Sequence, residues 1–202
     1  MELYLIRHGE TLFNQLKLVQ GWCDSPLTEL GIQQAQKARE ILKNIKLDAA
    51  YSSTSERVVD TCKIALGEHD LPIHKDKRIK ELNFGIFEGS LDAYKMHYAH
   101  KVNVSENKGF YEDLRPVGGE DTTTMLNRFN ECVNEIYLNH KNDAVLLASH
   151  GVALTAFVLD HCKEEAFAMN NGKFFFIKNA AVTKMIIDDD GYHLVYLNKE
   201  EC

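Results

Sequence analysis

The chain has 202 residues, 45% of them hydrophobic, enough for one large domain or two small ones with a substantial core. Its formal net charge of -7 argues against a general affinity for nucleic acid or anionic membrane, since both require an excess of Lys and Arg. Any anionic ligand must therefore be held by a local cluster of cations. No uninterrupted apolar stretch approaches the roughly 20 residues of a spanning helix, and the N-terminus runs into a strand-like segment without a signal-peptide pattern. A cytoplasmic protein is the expectation. Cys23, Cys62, Cys132, Cys162 and Cys202 are widely spaced, form no C-x-x-C pair and read as reduced thiols.

Taken in chain order, Leu3 to Ile6 reads as a buried strand. A helix follows from Thr28, its candidate N-cap, with Leu30, Ala35, Ala38, Ile41 and Leu42 near one face. Asp48 to Ser52 reads as a second strand and Glu56 to Leu66 as a second helix. The stretch from Ser90 to Gly119 is irregular and rich in Lys, Asn, Tyr and Glu, the composition of an insertion or lid. Beyond it, Thr122 to Asn139 reads as a long helix, Ala144 to Ala148 as a strand and Ala153 to His161 as a helix. Ala180 to Leu197 predicts a hairpin with Asp-Gly in its turn, and its acidic turn lacks the ligand spacing of a calcium loop. The alternation of strands and helices predicts an α/β fold, a three-layer α/β/α sandwich around a mainly parallel sheet. A single domain over residues 1–202, with a small lid at about 90–119, is the expected organisation.

Ligands of parallel α/β sheets sit beyond the carboxyl ends of the strands. Arg7, His8, Gly9 and Glu10 follow the first strand; Ser52, Ser53 and Arg57 follow the second; Ser149, His150 and Gly151 follow the last of the parallel set. Folding would bring two imidazoles and two guanidiniums into one crevice. Arginine forks suit phosphate oxygens, and the amides of the helix N-termini would add donors. A glycine beside each histidine lets a ligand approach the backbone closely. These residue types together point to a phosphoryl group.

Arg7-His8-Gly9-Glu10-Thr11 with Asn14 resembles the R-H-G-E-T-x-x-N signature of the histidine phosphatase superfamily, the phosphoglycerate mutase-like clan. Further blocks extend the resemblance in order: GWCDSPLTELGIQQA at 21–35, LDAAYSSTSERVVDTCKIA at 47–65, RIKELNFGIFEG at 78–89, VGGED at 117–121 and AVLLASHG at 144–151. The resemblance implies a phosphoglycerate mutase-like fold. It also implies that His8 is the nucleophile that carries the phosphoryl group, that Arg7, Arg57 and His150 form the phosphate pocket, and that Asn14 adds a phosphate contact. Glu81, in KELNFG, matches the proton donor to the leaving alkoxide; without the match it would read as an exposed Glu in a charged segment. Gly151 belongs to the phosphate-binding set, and Gln20, Gly21 and Trp22 lie on a loop that can form the pocket rim. In this scheme the nucleophilic imidazole is neutral, a second, charged imidazole donates to a phosphate oxygen, and no metal is required.

Two departures separate branches of the family. The mutases resemble one another in an insertion with adjacent arginines, and this sequence has no Arg-Arg pair between Ser90 and Gly119. KELNFGIFEG is also closer to the phosphatases than to the mutases' E-R-H-Y-G pattern. Val58, where Ala is common, is expected to be absorbed by helix packing. The expectation is a metal-independent, cofactor-free phosphomonoester hydrolase acting on a small phosphorylated metabolite, with no nucleic-acid or membrane partner. The rival is a phosphoglycerate mutase, which would need a 2,3-bisphosphoglycerate primer; an inactive phospho-ligand-binding relative is the third reading. His97 and His100, the lid lysines 95, 101 and 108 with Arg115, and the aromatics Tyr94, Tyr98, Phe110 and Tyr111 read as lid surface or lid core.

Overall fold

The computed structural model describes residues 1–91 and 113–201. Their elements in chain order are β1 (Glu2–Arg7), α1 (Leu12–Gln15), α2 (Glu29–Leu42), β2 (Ala49–Ser53), α3 (Glu56–Leu66), β3 (Ile73–Asp76), α4 (Thr122–Asn139), β4 (Ala144–Ser149), α5 (Gly151–His161), α6 (Lys163–Met169), β5 (Val182–Asp188) and β6 (Gly191–Lys199). The six strands form one sheet in the order β3-β2-β4-β1-β5-β6. β1 pairs in parallel with β4, β4 with β2 and β2 with β3, whereas β5 runs antiparallel to both β1 and β6. The mainly parallel sheet is thus observed, with the expected hairpin forming its antiparallel edge.

Alternation along the central strands builds the two helical layers. Leu3, Leu5, Val145, Leu147 and Met185 point to one face, against Met125, Phe129 and Ile136 of α4 and Leu154 and Phe157 of α5. Tyr4, Ile6, Leu146, Ala148 and Val182 point to the other, against Ala38, Ile41 and Leu42 of α2 and Val58, Cys62 and Ala65 of α3. Val58 is fully buried in this second layer. The central strands therefore read as nearly continuous apolar runs.

Several local expectations need correcting. Leu30 is 48% exposed, and Gly31 occupies the buried face of α2 in its place. Three elements were not anticipated. β3 has the polar sequence IHKD and pairs only with β2 at the sheet edge, so it needs little apolar content. α6 is seven residues long and begins directly after Cys162, while α1 is a single turn capped by Thr11. The lid expected over about 90–119 lies for the most part outside the described residues, as do the histidines, lysines and aromatics assigned to residues 92–112. At its margins Leu91 bridges Leu18 and Asp113 bridges Asp121, and Arg115–Val117 forms one 3-10 turn. Among the described residues no helix is long and apolar enough to cross a membrane.

A pair of glycines brings α2 onto the end of β1. A Cβ on Gly31 would lie 2.1 Å from the Glu10 carbonyl oxygen, and one on Gly9 would lie 2.4 Å from the Gly31 carbonyl oxygen. Both obstacles are backbone and cannot swing aside. Gly31→Ala is expected to cost about 1–3 kcal/mol, the range for overpacking a tight contact. Urea unfolding should show a lower midpoint at unchanged m; an unchanged midpoint would mean that α2 does not press on the loop this closely.

Candidate active site

Arg57, 1% exposed, stands in the first turn of α3 and is the centre of the crevice. One of its terminal nitrogens donates to the Cys23 carbonyl at 2.8 Å and to Asp24 Oδ1 at 2.9 Å. The other donates to the Gly21 carbonyl and to His150 Nδ1, both at 2.8 Å. Loop 21–24 is thereby wrapped around the guanidinium. Glu88 fastens the same loop from behind, accepting from the backbone N–H groups of Gly21, Trp22 and Cys23 and from that of Phe84.

The two histidines stand with ring centroids 5.6 Å apart, edge to face. His8 Nδ1 lies 2.8 Å from the Gly9 carbonyl, which can only accept, so Nδ1 carries the proton and Nε2 keeps its lone pair. Burial, followed by the nearby Arg57 and Arg7 charges, holds the His8 pKa well below the ordinary histidine range. His150 differs from expectation. Arginine can only donate, so His150 Nδ1 is an acceptor, and Nε2–H donates to Ser53 Oγ at 2.8 Å. Burial and the Arg57 charge hold this ring neutral as well, so the expected charged imidazole is absent because a cation already sits against it.

Arg7 donates to the Ile177 carbonyl at 2.9 Å. Its guanidinium lies against the start of α5, where a Cβ on Gly151 would be 3.0 Å from its Cζ and Nε; Gly151 thus makes room for an arginine as well as for a ligand. Arg7 Nε and Arg57 Nε are the only buried side-chain nitrogens without a hydrogen-bond partner among the described residues. Donors that are buried and unpaired cost free energy until an acceptor arrives.

Glu81 is 4% exposed, which overturns the exposed-glutamate reading. Its Oε1 accepts from Leu82 N–H at 2.9 Å and Ala153 N–H at 2.8 Å, and its Oε2 accepts from Val152 N–H at 2.9 Å. The carboxyl therefore caps the N-terminus of α5. Burial raises its pKa while the three amides pull the other way, and burial prevails. This geometry also corrects an expectation about the helix termini: the Val152 and Ala153 amides serve Glu81 and not a ligand. Near α3, the Glu56 amide goes to Asp24, and on the β1 loop the Gly9 and Glu10 amides go to Thr61 and Gln34.

Of the remaining expected residues, Asn14 lies in α1 with its Oδ1 taken by Thr11 N–H at 3.2 Å and Asn179 Nδ2 at 3.4 Å, leaving its amide nitrogen as the donor it can offer. Asn179 also donates to the His8 carbonyl at 3.0 Å. Gln20 is turned inward, bonding Thr11 and Ser25. A Cβ on Gly21 would collide with Glu88, the Leu82 carbonyl and Phe84, so both residues shape the rim from within. Trp22 is 46% exposed and donates its indole N–H to the Glu81 carbonyl at 3.0 Å. Sequence reading missed Arg128, which donates to the carbonyls of Arg78, Lys80 and Glu81 and so holds the whole Glu81 segment. It missed Glu88, Asp24 and Asn179 as well; nothing local marks them, since most of their partners are distant in sequence.

The chain matches the histidine phosphatase superfamily (branch 1) over residues 3–200. It belongs to that superfamily. The members are phosphatases or mutases. Phosphoglycerate mutase of Schizosaccharomyces pombe is 34% identical over 167 residues, 78% of each chain. Among solved structures, phosphoglycerate mutase from Bacillus anthracis is 27% identical with a TM-score of 0.87, over 99% of this chain and 93% of that one. Bacillus stearothermophilus YhfR is 28% identical with a TM-score of 0.78, over 98% and 96%. The fold is phosphoglycerate mutase-like, as the motifs implied.

The depressed histidine pKa values carry a pH signature. At pH 6 an ordinary imidazole is roughly three-quarters protonated, yet His8 and His150 should give neutral-ring 15N shifts in long-range NMR spectra at that pH. The unfolded chain takes up these protons as pH falls through about 6.5 while the folded chain refuses them, so stability should decline below that value. Charged-ring shifts for either residue at pH 6 would contradict the tautomers assigned above.

Proposed function

We propose that the protein hydrolyses a phosphate monoester, without a metal, through a transient phosphohistidine on His8. The observation that carries this reading is the bare Nε2 of a neutral, buried His8 beside two arginines whose buried Nε groups lack partners. Nε2 attacks phosphorus in line and the ester P–O bond breaks. Arg7 and Arg57 bind the phosphoryl oxygens, and Asn14 adds a donor. Protonated Glu81 gives its proton to the leaving alkoxide. Water then attacks the phosphohistidine, its proton passes to Glu81, and the P–N bond breaks to release inorganic phosphate and restore neutral His8. His150 supports this step by orienting Arg57. The proposed partner is a small phosphorylated metabolite, with neither nucleic acid nor membrane surface, and the proposed location is cytoplasmic.

A mutase primed by 2,3-bisphosphoglycerate is the second reading, favoured by the name of the 34% identical relative. Against it stands the missing Arg-Arg pair between Ser90 and Gly119. Other arginines are already committed: Arg78 to Asp76, Glu131 and Glu135, Arg115 to Asp113 and Asp121, and Arg128 to Glu120.

Phosphate release from a panel of phosphomonoesters, without added metal and with 3-phosphoglycerate included, decides between these readings. Hydrolysis that disappears in His8→Ala is the expected result. Formation of 2-phosphoglycerate with little phosphate, dependent on the bisphosphate primer, would make the protein a mutase. Glu81→Gln should lower kcat by about 100-fold or more, the usual worth of a general acid, while calorimetry shows inorganic phosphate still bound. Undiminished turnover would remove Glu81 from the proton-transfer role.

A further inference from the structure

Lys80 immediately precedes Glu81, and its ammonium lies 4.5 Å from the centre of the Trp22 ring. Both partners are fixed from behind. The Trp22 amide donates to Glu88 at 2.8 Å and its indole N–H to the Glu81 carbonyl at 3.0 Å. The Lys80 carbonyl accepts from Arg128 at 2.8 Å, and its N–H donates to the Lys77 carbonyl at 3.2 Å. Trp22 stands between Gly21 and Cys23, whose carbonyls hold the Arg57 guanidinium. The lysine and its aromatic platform therefore border the Arg57 side of the crevice.

A half-buried lysine ordinarily finds a carboxylate. Asp24 and Glu88 are the acids whose charges act on Lys80, but both are spent elsewhere. Asp24 binds Arg57 and the Glu56 amide; Glu88 binds four backbone amides. Neither forms an ion pair with Lys80. Burial and the repulsion of Arg57 and Arg128 instead depress its pKa, and its charge in turn reaches His150. A cation that faces other cations and, among the described residues, has no carboxylate in ion-pair contact is unfavourably placed until an anion arrives.

We propose that Lys80, presented on the face of Trp22, is a subsite for a second oxyanion on the substrate, a carboxylate or further phosphate of the same molecule. The proposal rests on the reading of the His8 crevice as the place of the first phosphate. Lys80 is then a specificity-determining residue: it selects doubly anionic phosphomonoesters over those whose distal end is neutral. Trp22 keeps the ammonium extended by a cation–π contact and shields one side of it from water.

Binding to the His8→Ala protein tests this independently of turnover. The probes are two matched pairs: 3-phosphoglycerate against glycerol 3-phosphate, which differ in a carboxylate, and fructose 1,6-bisphosphate against fructose 6-phosphate, which differ in a phosphate. In at least one pair the doubly anionic member should bind about 10-fold more tightly, the worth of one charge-assisted contact. Lys80→Gln should erase that preference and Lys80→Arg should retain it. The pair that responds names the oxyanion. Equal Kd values within both pairs, or a preference that survives Lys80→Gln, would overturn the subsite. Binding of none of the four would overturn the crevice reading beneath it. Preference retained in the His8→Ala protein, with no phosphate release by the intact enzyme, would overturn hydrolysis alone.

Discussion

Burying the Arg57 guanidinium is the constraint on which the site depends. A charge taken out of water costs several kcal/mol unless its donors are satisfied. Here two carbonyls of loop 21–24, the Asp24 carboxylate and the His150 ring satisfy both terminal nitrogens. One side chain thus joins the start of α3, the rim loop and the end of β4, three pieces remote in sequence. Its neighbour also determines the state of His150: a ring that must accept a bond from arginine at Nδ1 has to be neutral. The same field acts on His8, so two imidazoles can share the crevice with two arginines only because neither ring is charged.

The N-terminus of α5 is used in a way that follows from the same economy of charge. A helix start favours an anion, and the obvious occupant in a phosphate pocket is the ligand. Glu81 takes the position instead, engaging Val152 and Ala153. The carboxyl is thereby pinned in place and its two states are brought closer in energy, because burial favours the acid form while the amides favour the carboxylate. Arg128 holds the segment from the other side by three carbonyls. A group that must both release and recover a proton gains from such opposed influences.

The sheet and its helices were legible because their burial is two-sided: strands such as Tyr4 to Ile6 are apolar at every position, and α2 to α4 carry periodic apolar faces. The sites of Arg7, His8, Arg57 and His150 were legible because each follows a recognisable strand. Glu81 was legible only through family resemblance. Its segment has no periodicity, and the two helix amides it caps lie 71 and 72 positions away. Arg128 and Glu88 were invisible for a related reason: a charged residue that binds backbone groups looks in sequence like one that faces water. Leu30 failed in the opposite direction, since Gly31 and not a large side chain is what the Glu10 backbone admits on the buried face of α2.

The chain's surplus of acid is compatible with an anion-binding crevice because the nearby carboxylates are used as anchors. Asp24 and Glu88 fix the rim, Glu81 caps α5, and Glu120 binds Arg128 and the Asn83 amide. An acid that has given its lone pairs to backbone amides is locked in position, and its field is offset by the peptide dipoles facing it. Arginine is treated differently: Arg7 and Arg57 each keep a buried Nε unpaired. The positive character of the crevice is therefore a matter of which donors remain unsatisfied, and net charge alone would not reveal it.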